Sequence, residues 1–114
     1  MNGTIDIDTA IDNAATDYPA LAQLLAGYYH QDWRQDHATP DAALHAFADG
    51  ASAATVKTAS NDIDRLIDEG FDNPGLTRML AEGFDCNYVP DANGLTAGGW
   101  LSHVREVLNA ALAD

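Results

Sequence analysis

Apolar residues recur at helical spacing along most of the chain. From Tyr18 to Trp33, Leu21, Leu24, Leu25 and Tyr28 fall on one face, and Leu25, Tyr29 and Trp33 form an adjoining i, i+4 row. Pro19 suits the first turn of this helix, where its missing N–H has no partner to lose, and Asp17 favours the positive end of the dipole. A second helix is predicted from Thr39-Pro40-Asp41, with Thr39 as cap, Ala43, Leu44 and Phe47 inward and Gly50 as stop. A third covers Ala53 to Glu69 on the stripe Val56, Ala59, Ile63, Leu66 and Ile67, unless Ser60-Asn61-Asp62 acts as a cap that splits it. Its outer face carries Asp64 and Asp68 one turn apart, with Asp62 and Glu69 nearby.

Asn73-Pro74 repeats the cap-then-proline signal and opens a short helix with Leu76, Met79 and Leu80 inward and Gly83 near its end. Residues from Asp85 to Leu95 read as a connector, with Pro90 and the turn pair Asn93-Gly94. The last helix follows Thr96 and presents Trp100, Leu101, Val104, Leu108, Ala111 and Leu112 on one side, although Gly98 and Gly99 stand where polar, helix-favouring residues are expected. The N-terminal Ile5 to Asp8 alternates as a short strand would, yet the run is brief and terminal, so residues 1–16 are expected as a loosely ordered acidic arm. The expectation is an all-α fold: one compact domain of about five helices over 17–114, a monomer or small homo-oligomer when free.

Charge is the first property to change that picture. The 114 residues carry 18 Asp plus Glu against 5 Lys plus Arg, a formal net charge of −13. A field of that sign repels nucleic acid and anionic membranes and speeds encounter with basic partners. The start of the chain has neither the basic segment nor the continuous apolar stretch of a signal peptide, and no window reaches the roughly 18 apolar residues of a membrane span. Cys86 is alone, which excludes an internal disulfide and suits a reducing, cytoplasmic compartment.

Candidate chemistry adds little. Cys86 paired with His103 or His30 lacks the strand-turn-helix elbow that would activate a thiol. Asp41 and His45 have i, i+4 spacing but no third ligand, and His30 and His37 form no recognised ligand pattern, so no metal is expected. The run Gly94 to Gly99 precedes a helix but lacks the Lys and the leading strand of a phosphate loop, and no cofactor is expected. His30, Gln31 and Asp32 read most simply as polar groups serving the end of the first helix.

Tyr28-Tyr29-His30-Gln31-Asp32-Trp33, preceded by Leu24-Leu25-Ala26-Gly27 and followed by Thr39-Pro40-Asp41-Ala42-Ala43, resembles the opening motif of contact-dependent growth inhibition (CDI) immunity proteins of the CdiI type. The ending is similar too, in Asn87-Tyr88-Val89-Pro90, Gly94 and then Trp100-Leu101 with Val104-Arg105 and Leu108. The resemblance spans roughly Tyr18 to Leu112. It implies a small cytoplasmic antidote with no catalysis of its own, which binds the C-terminal toxin domain delivered by a neighbouring cell. Toxins of such systems are commonly nucleases with basic grooves, which an acidic chain complements. The expected partner-binding residues are Asp32 and Asp36 beside Tyr29 and Trp33, then Asp62, Asp64, Asp68 and Glu69. The alternative function is an acidic adaptor or regulatory domain for a basic protein partner.

Overall fold

The computed structural model describes residues 7–113. These residues form eight α-helices: α1 (Ile7–Asp12), α2 (Ala14–Asp17), α3 (Pro19–Tyr28), α4 (Trp33–Asp36), α5 (Pro40–Gly50), α6 (Ala53–Asp68), α7 (Asn73–Arg78) and α8 (Ala97–Ala113). A π-helical turn, Met79–Gly83, extends α7, and a 3-10 turn, Pro90–Asn93, interrupts the connector. The all-α expectation therefore holds, while the count of about five is corrected to eight. Two of the additional helices come from the N-terminal segment, and one comes from a break in the Tyr18–Trp33 stretch.

That break has a tertiary cause. A helix running through to Trp33 would bond the Trp33 N–H to the Tyr29 carbonyl. Instead the Tyr29 carbonyl accepts the Asn87 N–H at 2.7 Å, and the Trp33 N–H turns to the His30 carbonyl at 3.0 Å. A bond to a residue far along the chain replaces a local one, and the helix stops at Tyr28. The apolar row survives the break, because Leu25, Tyr29 and Trp33 are all buried.

In the N-terminal segment, Ile5 and Asp6 lie outside the described residues, and from Ile7 onward the chain is helical. Ala10 and Ala14 are buried. The contact with the π-helical turn is close enough that a Cβ on Gly83 would stand 3.0 Å from Ala14 Cβ. Arg78 ties the two elements together, donating to Asp8 at 2.9 Å and to Glu82 at 3.0 Å.

The centre of the fold is α6, whose main neighbours are α8 and α3. Ser60 Oγ donates to Asn109 at 2.8 Å and Arg105 donates to Asp64 at 2.7 Å, a pairing that steps forward four residues on α6 and back four on α8. The two helices are therefore antiparallel. Val56, Ala59, Ile63 and Leu66 of α6 bury against Trp100, Leu101, Val104 and Leu108 of α8 and Leu21, Leu24 and Leu25 of α3. Each large side chain in that seam contributes about 1.5–3 kcal/mol of transfer free energy, before the cost in conformational entropy. The Cα radius of gyration, 13.4 Å, is that of a fully collapsed chain of this length.

The helix starts divide into local and tertiary caps. Thr39 accepts the Ala42 N–H at 3.0 Å and Ser52 accepts the Thr55 N–H at 3.1 Å, so α5 and α6 are capped from within. Ser60-Asn61-Asp62 does not split α6, because Ser60 and Asp62 point to other helices. Asp62 Oδ2 accepts the N–H groups of Ala20 and Leu21, at 3.0 and 3.1 Å, in the first turn of α3. Asn73 does not cap its own helix either: Asp72 does, accepting the Gly75 N–H at 2.9 Å, while Asn73 Oδ1 accepts the Ala97 N–H that begins α8.

Candidate functional site: an aromatic junction and an acidic helix end

The break after Tyr28 sets four aromatic rings against one another. Tyr29 meets Trp100 edge-on with centroids 5.3 Å apart, Tyr88 lies 4.9 Å from Trp100, and Trp33 meets Tyr88 edge-on at 5.8 Å. Edge-to-face pairs of this kind add about 0.5–1.5 kcal/mol each to what burial supplies. The Tyr29 hydroxyl donates to the Pro40 carbonyl at 2.7 Å, locking α3 to the start of α5. Burial, first of all, pushes the Tyr29 phenol well above its ordinary pKa and keeps it protonated. Tyr29 and Trp33 thus form the interior of this end of the molecule. Gln31 and Asp32 between them face outward, the Asp32 N–H bonded to His30 Nδ1, and exposed Asp36 beyond Trp33 lies 3.2 Å from His30 Nε2.

Beside the aromatic junction lies a cleft of about 550 Å³, with Tyr88 and Trp100 at its floor and Pro40, Leu95 and Gly99 along its sides. His103 Nε2 and Asp41 Oδ1 stand 2.9 Å apart in its lining. Sequence reasoning missed this pair: Asp41 was matched by spacing with His45, whereas the fold joins it to a residue 62 positions away. The two unexpected glycines are explained nearby. Thr96 Oγ1 accepts the Gly99 N–H at 2.9 Å, and a Cβ at Gly99 would stand only 2.9 Å from that same oxygen. Gly98 closes on α7, where its Cβ would meet Leu76 Cδ1 at 3.5 Å.

The remaining acidic residues lie at the C-terminal half of α6, and no hydrogen bond or ion pair among the described residues joins them to Asp32 or Asp36. Asp62 is 2% exposed and fully committed, through one oxygen to α3 and through the other to Arg65 at 2.6 Å. Arg65 in turn caps the Asp17 carbonyl at 2.7 Å and lies over the Tyr18 ring, 4.8 Å from its centroid. Asp64 is half-buried against Arg105. Asp68 and Glu69 are exposed, and among the described residues no cation stands within ion-pairing distance of either. Four of the five Lys and Arg residues are used inside the molecule, Arg65, Arg78 and Arg105 in ion pairs and Arg34 over the Trp33 ring at 4.9 Å, while Lys57 is exposed and makes no ion pair among the described residues.

Cys86 is buried, and burial pushes its thiol up to about 12, the reverse of what a nucleophile requires. Among the described residues no group of three or more His, Cys, Asp or Glu side chains converges to hold a metal ion, and no helix is long and apolar enough to cross a membrane.

The profile of the CdiI immunity protein family matches residues 17–108. The chain belongs to that family. It is accordingly a toxin inhibitor of the CDI type and not an enzyme. Among solved structures, it is similar to a chain of the crystal structure of the CdiA-CT/CdiI complex from Y. kristensenii 33638, with a TM-score of 0.79 and 25% sequence identity over 83% of this chain and 96% of that one. A search of curated proteins finds no match. The matched span runs from the first turn before α3 to Leu108 of α8, so it contains the aromatic junction, the cleft and the acidic end of α6 alike.

Proposed function

We propose that this immunity protein binds the C-terminal domain of a cognate CdiA-type toxin one-to-one in the cytoplasm and masks a basic, nuclease-type active site with its acidic surface. The observation that carries the reading is the likeness to one chain of the CdiA-CT/CdiI complex structure, over 96% of that chain. The charge arrangement supports the electrostatic part. With the arginines engaged internally, Asp32, Asp68 and Glu69 present carboxylates that no cation among the described residues pairs with, and Asp36 pairs with His30. A basic groove built to hold phosphate is a complementary surface.

Within this reading the eight residues singled out by sequence divide into three duties. Asp32, Asp36, Asp68 and Glu69 make direct contact, and Asp64 contributes its field from the Arg105 pair. Tyr29, Trp33 and Asp62 hold the shape of the surface above them. The test is co-expression with the cognate toxin domain, followed by co-purification and association kinetics at several salt concentrations. Rescue of growth and a complex whose association rate falls with salt are expected; killing without rescue, or no complex at any salt, would sink the proposal. Asp68→Lys with Glu69→Lys is the informative variant, because neither residue has an internal partner to disturb. Its association rate should drop several-fold, since like-charge juxtaposition removes steering.

A further inference from the structure

We propose that the cleft over Tyr88 and Trp100 is a receptor for one arginine side chain of the toxin, its stem lying along Pro40 and Leu95 and its guanidinium on Asp41. The inference rests on the proposed toxin binding and adds the chemistry of one contact to it.

Four features of the cleft argue for that occupant. Its volume, about 550 Å³, is within the range of small-ligand pockets and exceeds what one side chain needs. Its walls are largely apolar, and Leu95, 43% exposed, and Val89, 46% exposed, which are the exposed large hydrophobic residues of the described chain, both belong to the short connector that carries Tyr88. Leu95 lines the cleft itself. An exposed apolar side chain beside an open pocket offers a surface that a partner's methylenes can cover.

The charge at the rim selects the class of side chain. Asp41 Oδ1 is engaged by His103, and Oδ2 has no partner among the described residues, so the carboxylate retains acceptor capacity toward an incoming cation. Two helix starts border the cleft, those of α5 and α8, and three of their amides are taken by side-chain caps. Thr39 takes the Ala42 N–H, Asn73 takes the Ala97 N–H and Thr96 takes the Gly99 N–H. These caps reduce the demand of both helix starts for an anion, and the chain's net charge of −13 opposes one. A long basic side chain satisfies both walls and rim, since its methylenes cover apolar surface while its head stays on the carboxylate. Arginine fits better than lysine, because a guanidinium is more weakly hydrated than an ammonium and is desolvated at lower cost. Gly99 keeps the space open, since any side chain there would press on the Thr96 cap and fill the cleft.

The cleft can be tested with and without the toxin. The whole chain, isotope-labelled, is titrated with N-acetyl-arginine methylamide and with its neutral counterpart, N-acetyl-citrulline methylamide, while amide resonances are followed. The arginine compound should give saturable shifts at Leu95 and Gly99, citrulline should act several-fold more weakly, and Asp41→Asn should abolish the difference. Absent shifts up to the solubility limit, equal responses to both compounds, or a stronger response to N-acetyl-leucine methylamide would each overturn the arginine assignment. With the toxin, Asp41→Asn and Leu95→Ala should each weaken binding about tenfold, chiefly through faster dissociation, as for a central contact. Toxin binding by the wild type with an unchanged Kd in Asp41→Asn removes the cleft and leaves the proposed function standing. A wild type that binds no toxin removes both.

Discussion

The aromatic junction and the acidic end of α6 are built from opposite materials, and each contains residues that look as if they belong to the other. At the junction, Tyr29 and Trp33 sit in the segment most suggestive of a binding site, yet both are interior, packed on Tyr88 and Trp100. On α6, Asp62 and Asp68 are the same residue type six positions apart. Asp62 is buried and organises α3, whereas Asp68 is exposed and bonded to nothing described. What separates the two aspartates is the supply of partners: two N–H groups of a helix start and one guanidinium compensate a buried carboxylate, and without them its burial would leave polar atoms unpaired at a large cost. Residue type sets what a position can do, and its neighbours decide which of those things it does.

The contrast yields graded predictions. Trp100→Ala or Tyr29→Ala should cost about 3–5 kcal/mol in urea unfolding, as expected for emptying a packed aromatic site; a loss under 1 kcal/mol would mean that the junction is a loose surface feature. Asp62→Ala should cost about 2–3 kcal/mol, because it strands two amides of α3 and frees Arg65. If Asp62→Ala proved as silent as Asp68→Ala, the distinction between the two carboxylates would collapse.

Alkaline pH probes the same interior. The folded state holds Cys86 and Tyr29 protonated, so the unfolded chain, with ordinary values of 9.0 and 10.0, loses those protons first. Stability from Cys86 is whole below pH 9 and drains until about 12, at up to about 1.4 kcal/mol per pH unit. The Tyr29 contribution begins to drain above pH 10. Urea midpoints measured between pH 8 and 11 should therefore fall, and Cys86→Ala should flatten the slope above pH 9 even though it lowers stability at neutral pH. The smallest effect is expected for Asp68→Lys with Glu69→Lys, whose unfolding free energy should change by no more than about 0.5 kcal/mol. A larger change would indicate an internal role for these residues and compromise their use in mapping the interface.

Much of the fold was legible in the sequence where the signal is local. Thr39-Pro40 and Gly50 bounded α5 correctly, because a hydroxyl cap, a fixed φ and a chain terminator act within a few residues. The buried stripes of α3, α6 and α8 were also readable from the 3.6-residue period. What misled were side chains that satisfy another helix. Asn73 and Asp62 carry the chemistry of caps, and both are caps, but for α8 and α3. Nothing in a window of ten residues can distinguish a cap used locally from one used across the core.

The candidate site follows the same rule. The sequence by itself determined the all-α architecture, the negative field and the residues of the family motif, since each depends on composition or on spacing along one helix. Only the tertiary structure decided that α3 ends at Tyr28, that Tyr29 and Trp33 pack on Tyr88 and Trp100, and that Asp41 and His103 meet beside an open cleft. Those outcomes depend on bonds between residues as far as 62 positions apart, which exist only once the helices have packed.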